Sequence, residues 1–230
     1  EMAMLAGTPH TANVVALRDS DLVSMPRDAF FEAARGEPAL MAELGQVMLT
    51  RARDRNSTGT DASVFGFISA RKQPIRSFVE RVARAVEAQG FTCRIIDHTA
   101  LSSAAEWFSG VEDAHDYVLY IAESDEPGWA TLCARQVDRV FMVGEADRSP
   151  HGPFPPPQVE DEAHPLTDLI LLRPAHMARP TRTRAWLEAF RPGRWFHVVE
   201  GLFDDTARIA RVVTGSAVGV VLSGGGARAY

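Results

Sequence analysis

Only two cysteines, Cys93 and Cys133, occur in this sequence of 230 residues, and their spacing fits no zinc or cluster motif. Both are expected to be buried free thiols of the core, as suits a reducing compartment. Seven histidines are spread along the chain without a helical ligand pair, and H-E-x-x-H is absent. His98, His115 and His164, which lie near acidic residues, read as polar surface groups. No metal and no cofactor are therefore expected. Positive charge is also short. The formal net charge of -6 argues against nucleic acid as a partner, because such domains carry basic patches that neutralise phosphates. Arg51, Arg53 and Arg55 make too short a run to change this and read as a solvated helix end. No apolar run reaches the roughly 18 residues that a membrane-spanning helix needs, and the N-terminus lacks the charged and apolar regions of a signal peptide. The expected location is cytoplasmic.

What is present is the composition of a globular chain, 46% hydrophobic and 23% charged, with enough apolar mass for a sizeable core. The first residue is Glu1, so the chain is expected to start inside a longer product. Turn signals at Gly7, Thr8 and Pro9 precede alternating apolar runs at Val14 to Leu17 and Leu22 to Met25, which predict a hairpin. Amphipathic patterns around Asp28 to Ala34 and Pro38 to Arg53 predict two helices. A polar, glycine-containing stretch, Asn56 to Asp61, then closes a first unit of residues 1–56.

Beyond it, residues 62–214 alternate apolar strands with helical patterns. The predicted strands are "SVFGFISA", "FTCRIID", "DYVLYIAE", "RVFMVGE", "TDLILLRP" and "RWFHVVE". The predicted helices run Pro74 to Gly90, Ser102 to about Ala114, Trp129 to Val137, Thr181 to Phe190 and Asp204 to Val213, with a proline-rich loop before the fifth strand. Near-continuous apolar strands separated by helices predict a doubly wound α/β domain with a mostly parallel, Rossmann-like sheet. Trp107, Trp129, Trp186 and Trp195 read as core packing or its edge. The first strand-to-helix loop, "FISARKQPIRSF", has neither G-x-G-x-x-G nor G-x-x-x-x-G-K-[ST]. Arg71 and Lys72 there read as solvated cations.

The opening stretch "EMAMLAGTPHTANV" resembles the phosphate-binding cassette of cyclic-nucleotide-binding domains. By that resemblance residues 1–56 form a partial cyclic-nucleotide-binding β-roll with its C-terminal helices. Glu1 takes the ribose-binding position and His10 the place of the phosphate-binding Arg, with Pro9 and Ala12 matching around it. An imidazole is a poorer partner for a cyclic phosphate than a bidentate guanidinium, so the cassette reads as degenerate. The segment "DYVLYIAESDEPGWATLCARQVDRVFMVGEAD" is similar in rhythm to P-loop ATPases of the MinD type, without their phosphate loop.

The tail "VVLSGGGARAY" resembles the opening of patatin-like phospholipase domains. Together with the order of the upstream parts, it is similar to neuropathy-target-esterase-type enzymes. The resemblance implies that residues 215–230 are the first strand and oxyanion loop of such a domain, truncated here. Gly224, Gly225 and Gly226 would donate N–H groups to the oxyanion, and Arg228 would brace the loop. Ala229 stands where the family has a last glycine. The family's Ser-Asp dyad needs G-x-S-x-G and D-G-[AG]. Neither occurs here, and Ser216 and Ser223 fit neither pattern.

The implied function is that of a regulatory and connecting part. Its parent would be a serine esterase acting on acyl esters of lysophospholipids or phospholipids at a membrane surface, with the patatin domain following in cis. The alternatives are a cyclic-nucleotide or nucleotide sensing module and a purely structural interaction domain.

Overall fold

The computed structural model describes residues 5, 7–9, 22–54, 62–71, 73–123, 128–150 and 166–219. Two helices come first, α1 (Arg27–Gly36) and α2 (Pro38–Asp54). The strand expected at Leu22 to Met25 does not form. Those residues pair with no strand among the described residues, Val14 to Leu17 lie outside them, and Leu22 and Val23 are almost fully exposed. Alternation alone stabilises no strand that lacks a neighbour to share its hydrogen bonds.

The α/β elements follow in the expected order. They are β1 (Val64–Ser69), α3 (Arg76–Glu87), β2 (Cys93–Ile96), α4 (Ala105–Asp113), β3 (Tyr117–Ala122), α5 (Trp129–Gln136), β4 (Arg139–Glu145), β5 (Leu166–Arg173), α6 (Thr183–Phe190), β6 (Trp195–Val199) and α7 (Phe203–Val213). The sheet has the order β2-β3-β1-β4-β5-β6, and every pairing is parallel. This is a doubly wound α/β fold.

Strand periodicity explains the two layers. Along β1, Phe65 and Phe67 point to one face, where α3 and α7 cover them, while Val64 and Ile68 point to the other, under α4, α5 and α6. A strand covered on both sides gains nothing from polar residues at alternate positions, and so reads as a continuous apolar run. In α3, Phe78, Val79, Val82 and Val86 form the buried stripe while Ser77, Arg84 and Glu87 stay in water. Burying each large side chain of this kind contributes about 1.5–3 kcal/mol.

Glycine matters at two places. Gly90 takes a φ of +94° in the turn after α3, a conformation that costs a side chain steric strain. Gly144 in β4 lets the Trp186 ring of α6 lie directly on the backbone, since a Cβ there would sit 2.5 Å from Cη2. The Trp186 indole donates to the Arg148 carbonyl at 2.7 Å, and the Trp129 indole to that of Ile121, also at 2.7 Å. Trp107 and Trp195 are the half-exposed pair at the edge of the packing. Cys133 is fully buried and Cys93 partly so, and both are free thiols. Burial, with the Glu87 charge beside it, pushes the Cys93 thiol up to about 12.

Candidate functional site at the carboxyl end of the sheet

Helix α3 leaves β1 toward one face of the sheet and α5 leaves β3 toward the other. Adjacent strands whose connections part in this way open a crevice beyond their carboxyl ends, the usual ligand position in such folds. Among the described residues, those that meet there are 70, 71 and 73–75 of the loop, Asp97 after β2, and Glu123 after β3.

The N-terminus of α3 has no cap of its own, because its N-cap residue is Ile75. Glu123 supplies one from across the crevice. Its Oε2 accepts the Ile75 N–H at 2.7 Å and the Arg76 N–H at 2.9 Å. The Arg76 guanidinium lies 3.8 Å from the other Glu123 oxygen and forms a close ion pair with Asp97. Asp97 also accepts the Thr99 hydroxyl at 2.6 Å and the Thr99 N–H at 3.0 Å. These bonds, the hydroxyl's first and the Arg76 charge after the two from Thr99, hold its carboxyl down to about 2.

Several of the loop's N–H groups already have partners. The Ala70 N–H goes to the Val143 carbonyl at 2.8 Å, Pro74 has none, and the Ile75 and Arg76 groups are taken by Glu123. A phosphate cradle needs several free, converging N–H donors. Here the positive end of the helix dipole already faces a carboxylate. Arg76 is in turn set against the two carboxylates of Glu123 and Asp97. Gln73 donates to the Val143 carbonyl at 3.0 Å, and Arg71, expected to be solvated, donates to the Ser149 carbonyl at 2.8 Å. Ser69 Oγ and Gln73 Oε1 are buried with no hydrogen-bond partner among the described residues.

At the opposite edge, buried Asp168 of β5 accepts from Arg139 of β4 at 2.9 Å and from Arg194, just before β6, at 2.7 Å. It is 1% exposed. This triad ties three strand starts together.

Glu1, His10, Gly224, Gly225, Gly226 and Arg228 lie outside the described residues, as do Lys72 and His164. The crevice residues Glu123, Asp97 and Arg76 and the Asp168 triad were not singled out by the sequence pattern. One signal was there, an acidic residue closing each of the apolar runs "FTCRIID" and "DYVLYIAE". Among the described residues, no group of three or more His, Cys, Asp or Glu is placed to hold a metal, and no helix is long and apolar enough to cross a membrane.

Comparison with known proteins gives the context. Patatin-like phospholipase domain-containing protein 6 from Pongo abelii is 25% identical over 97% of this chain, which spans 21% of that protein's length. Lysophospholipase NTE1 from Yarrowia lipolytica is 22% identical over 99% of the chain, and neuropathy target esterase sws from Drosophila melanogaster 25% over 98%, the chain spanning 22% and 20% of them. A ParA family ATPase structure from Chlorobium tepidum TLS aligns with 67% of this chain and 91% of its own at 12% identity and a TM-score of 0.43, too distant to bear on function. The Neuropathy Target Esterase family P-loop like domain matches residues 69–202, more than half of the chain and all of the crevice. The chain belongs to the neuropathy target esterase family.

Proposed function

We propose that this chain is the connecting and regulatory part of a serine esterase that cleaves acyl esters of lysophospholipids or phospholipids, and that its α/β layer is a scaffold rather than a nucleotide-driven motor. The observation that carries the scaffold reading is Glu123. Its carboxylate sits on the α3 N–H groups that a phosphate would need. The esterase reading is supported by membership of the family and by the triple glycine at Gly224 to Gly226 after an apolar run.

In this reading the nucleophilic Ser and its Asp lie beyond Tyr230. The glycine loop supplies backbone N–H groups to the tetrahedral oxyanion, each worth about 3 kcal/mol of barrier when preorganised. The parent works in the cytoplasm, against a membrane that presents its substrate.

Two measurements test this. Titration calorimetry of the chain with ATP and magnesium should give no binding heat, and micromolar binding would overturn the scaffold. A protein extended past Tyr230 until it includes G-x-S-x-G should release fatty acid from lysophosphatidylcholine, and lose that activity when the serine becomes alanine. An extended protein without such activity removes the esterase reading.

A further inference from the structure

The carboxyl ends of β5 and β6 carry a second polar cluster, on the face that α6 covers and away from the crevice. Alternate residues of a strand share a face. Phe196 and Val198 of β6 pack into the α3 and α7 layer, so His197 turns to the other side. There its Nε2 and the hydroxyl of Thr183, the first residue of α6, are hydrogen-bonded at 2.9 Å. The register sets Leu171 of β5 beside His197 and Arg173 beside Val199. Arg173 follows Leu171 onto the α6 face, and one of its N–H groups donates to the Met177 carbonyl. From outside the sheet edge, Arg208 of α7 donates to the His197 carbonyl.

The imidazole thus has a guanidinium on either side. His197, Arg173 and Thr183 are half-buried, while Arg208 is exposed. Burial, and after it the Arg173 and Arg208 charges, holds the ring below the ordinary histidine value, so both charges that act on it are positive. The surrounding sequence is one-sided as well. From Leu169 to Leu187 it holds Arg173, Arg179, Arg182 and Arg184 and no acidic residue, in a chain of net charge -6. Arg179 and Arg182 are exposed and form no ion pair among the described residues. Two acids of the neighbouring helices are already engaged, Glu188 by Arg184 at 2.7 Å, and Asp205 by the Val199 N–H at 2.8 Å and by Arg208 at 3.4 Å. Glu200 and Asp204 remain exposed and keep any affinity modest. Guanidinium, imidazole and hydroxyl donors on one half-buried spot suit an oxyanion with several acceptor oxygens.

We propose that His197, Arg173, Arg208 and the Thr183 hydroxyl form a binding site for a phosphate group at the β5–β6 end of the sheet. The phosphate oxygens accept from the two guanidinium groups, and their charge lets the imidazole take up a proton and join as a third cation. The same chemistry serves a free phosphate and the phosphodiester of a lipid headgroup. The site is separate from the crevice at α3 and stands whether or not the parent is an esterase.

Nuclear magnetic resonance of the histidine rings in the 230-residue chain tests it, the His197 signal being the one absent from His197→Gln. At ionic strength held constant with sodium chloride, inorganic phosphate should raise the His197 pKa by about 0.5, because a bound anion favours the charged ring. Saturation is expected at about 1–10 mM, as suits an open site with acids near it. Arg173→Gln and Arg208→Gln should each weaken the binding at least about threefold. A larger rise with glycerophosphocholine than with inorganic phosphate marks a lipid headgroup as the occupant, and the reverse marks a free phosphate. No rise beyond that with chloride, or a rise unchanged in both arginine variants, would overturn the proposal. Should Arg173→Gln unfold the domain, the exposed Arg208→Gln variant decides alone. The α3 crevice takes no part, so the result with ATP and magnesium and this one are separable.

Discussion

Glu123 closes the N-terminus of Ile75's helix from the far side of the crevice, its carboxylate 2.7 Å from the Ile75 nitrogen. A helix normally takes its cap from a neighbouring residue in sequence. Here the cap comes from the end of another strand, so helix stability and strand order depend on each other. Glu123→Ala should lower unfolding stability by about 1–2 kcal/mol, the cost of a lost cap that leaves two part-buried N–H donors without their acceptor. Urea unfolding followed by far-ultraviolet circular dichroism measures it. Glu123→Gln, which keeps an acceptor oxygen, should lose less.

The Asp168 triad makes a sharper case. Removing the one carboxylate between Arg139 and Arg194 leaves the Arg139 guanidinium buried without its counter-charge. Asp168→Asn should cost about 3–5 kcal/mol, whereas Asp168→Leu combined with Arg139→Met should cost clearly less, because no buried charge remains. Comparison of the two unfolding midpoints checks this.

Gly144→Ala is predicted to destabilise by about 1–3 kcal/mol through overpacking. The new Cβ would meet three atoms of the Trp186 ring at 2.5–3.0 Å, and a buried indole whose N–H is shared between the Arg148 and Glu145 carbonyls, at 2.7 and 3.2 Å, has little room to shift. Trp186 fluorescence in the variant should move to longer wavelength if the ring is displaced, and Trp186→Phe should relieve part of the loss.

Acid stability should depend on Asp97. Its carboxyl is held down to about 2, from an ordinary 3.8, by Thr99 and Arg76. A folded-state value below the unfolded one means that the unfolded chain binds the proton more readily, so the contribution is complete above the unfolded value and disappears as pH falls from about 4 to about 2. Thermal unfolding across that window should show a steeper loss for the parent chain than for Asp97→Asn, whose side chain does not titrate. Equal slopes would mean that Asp97 does not carry the effect.

Much of the fold could be read from the sequence, because the strands are buried on both faces. Six apolar runs such as "DYVLYIAE" and "RVFMVGE" announce their own positions. The crevice chemistry could not be read in the same way. Ile75 and Glu123 are 48 positions apart, and no local pattern distinguishes a carboxylate that caps a distant helix from one that faces water. The apolar alternation at Leu22 to Met25 misled for the opposite reason, since a strand is a property of two segments rather than one.

By itself, then, the sequence determined which segments become strands and helices, because periodic burial is a local demand on each side chain. It also carried the triple-glycine tail that resembles an oxyanion loop. Only the tertiary structure decided that β1 lies between β3 and β4, that Glu123 fills the α3 N-terminus, and that Arg173 and Arg208 meet at His197. Those outcomes depend on pairing between distant segments and on the single right-handed way each crossover can close, and neither is written in any one stretch of the chain.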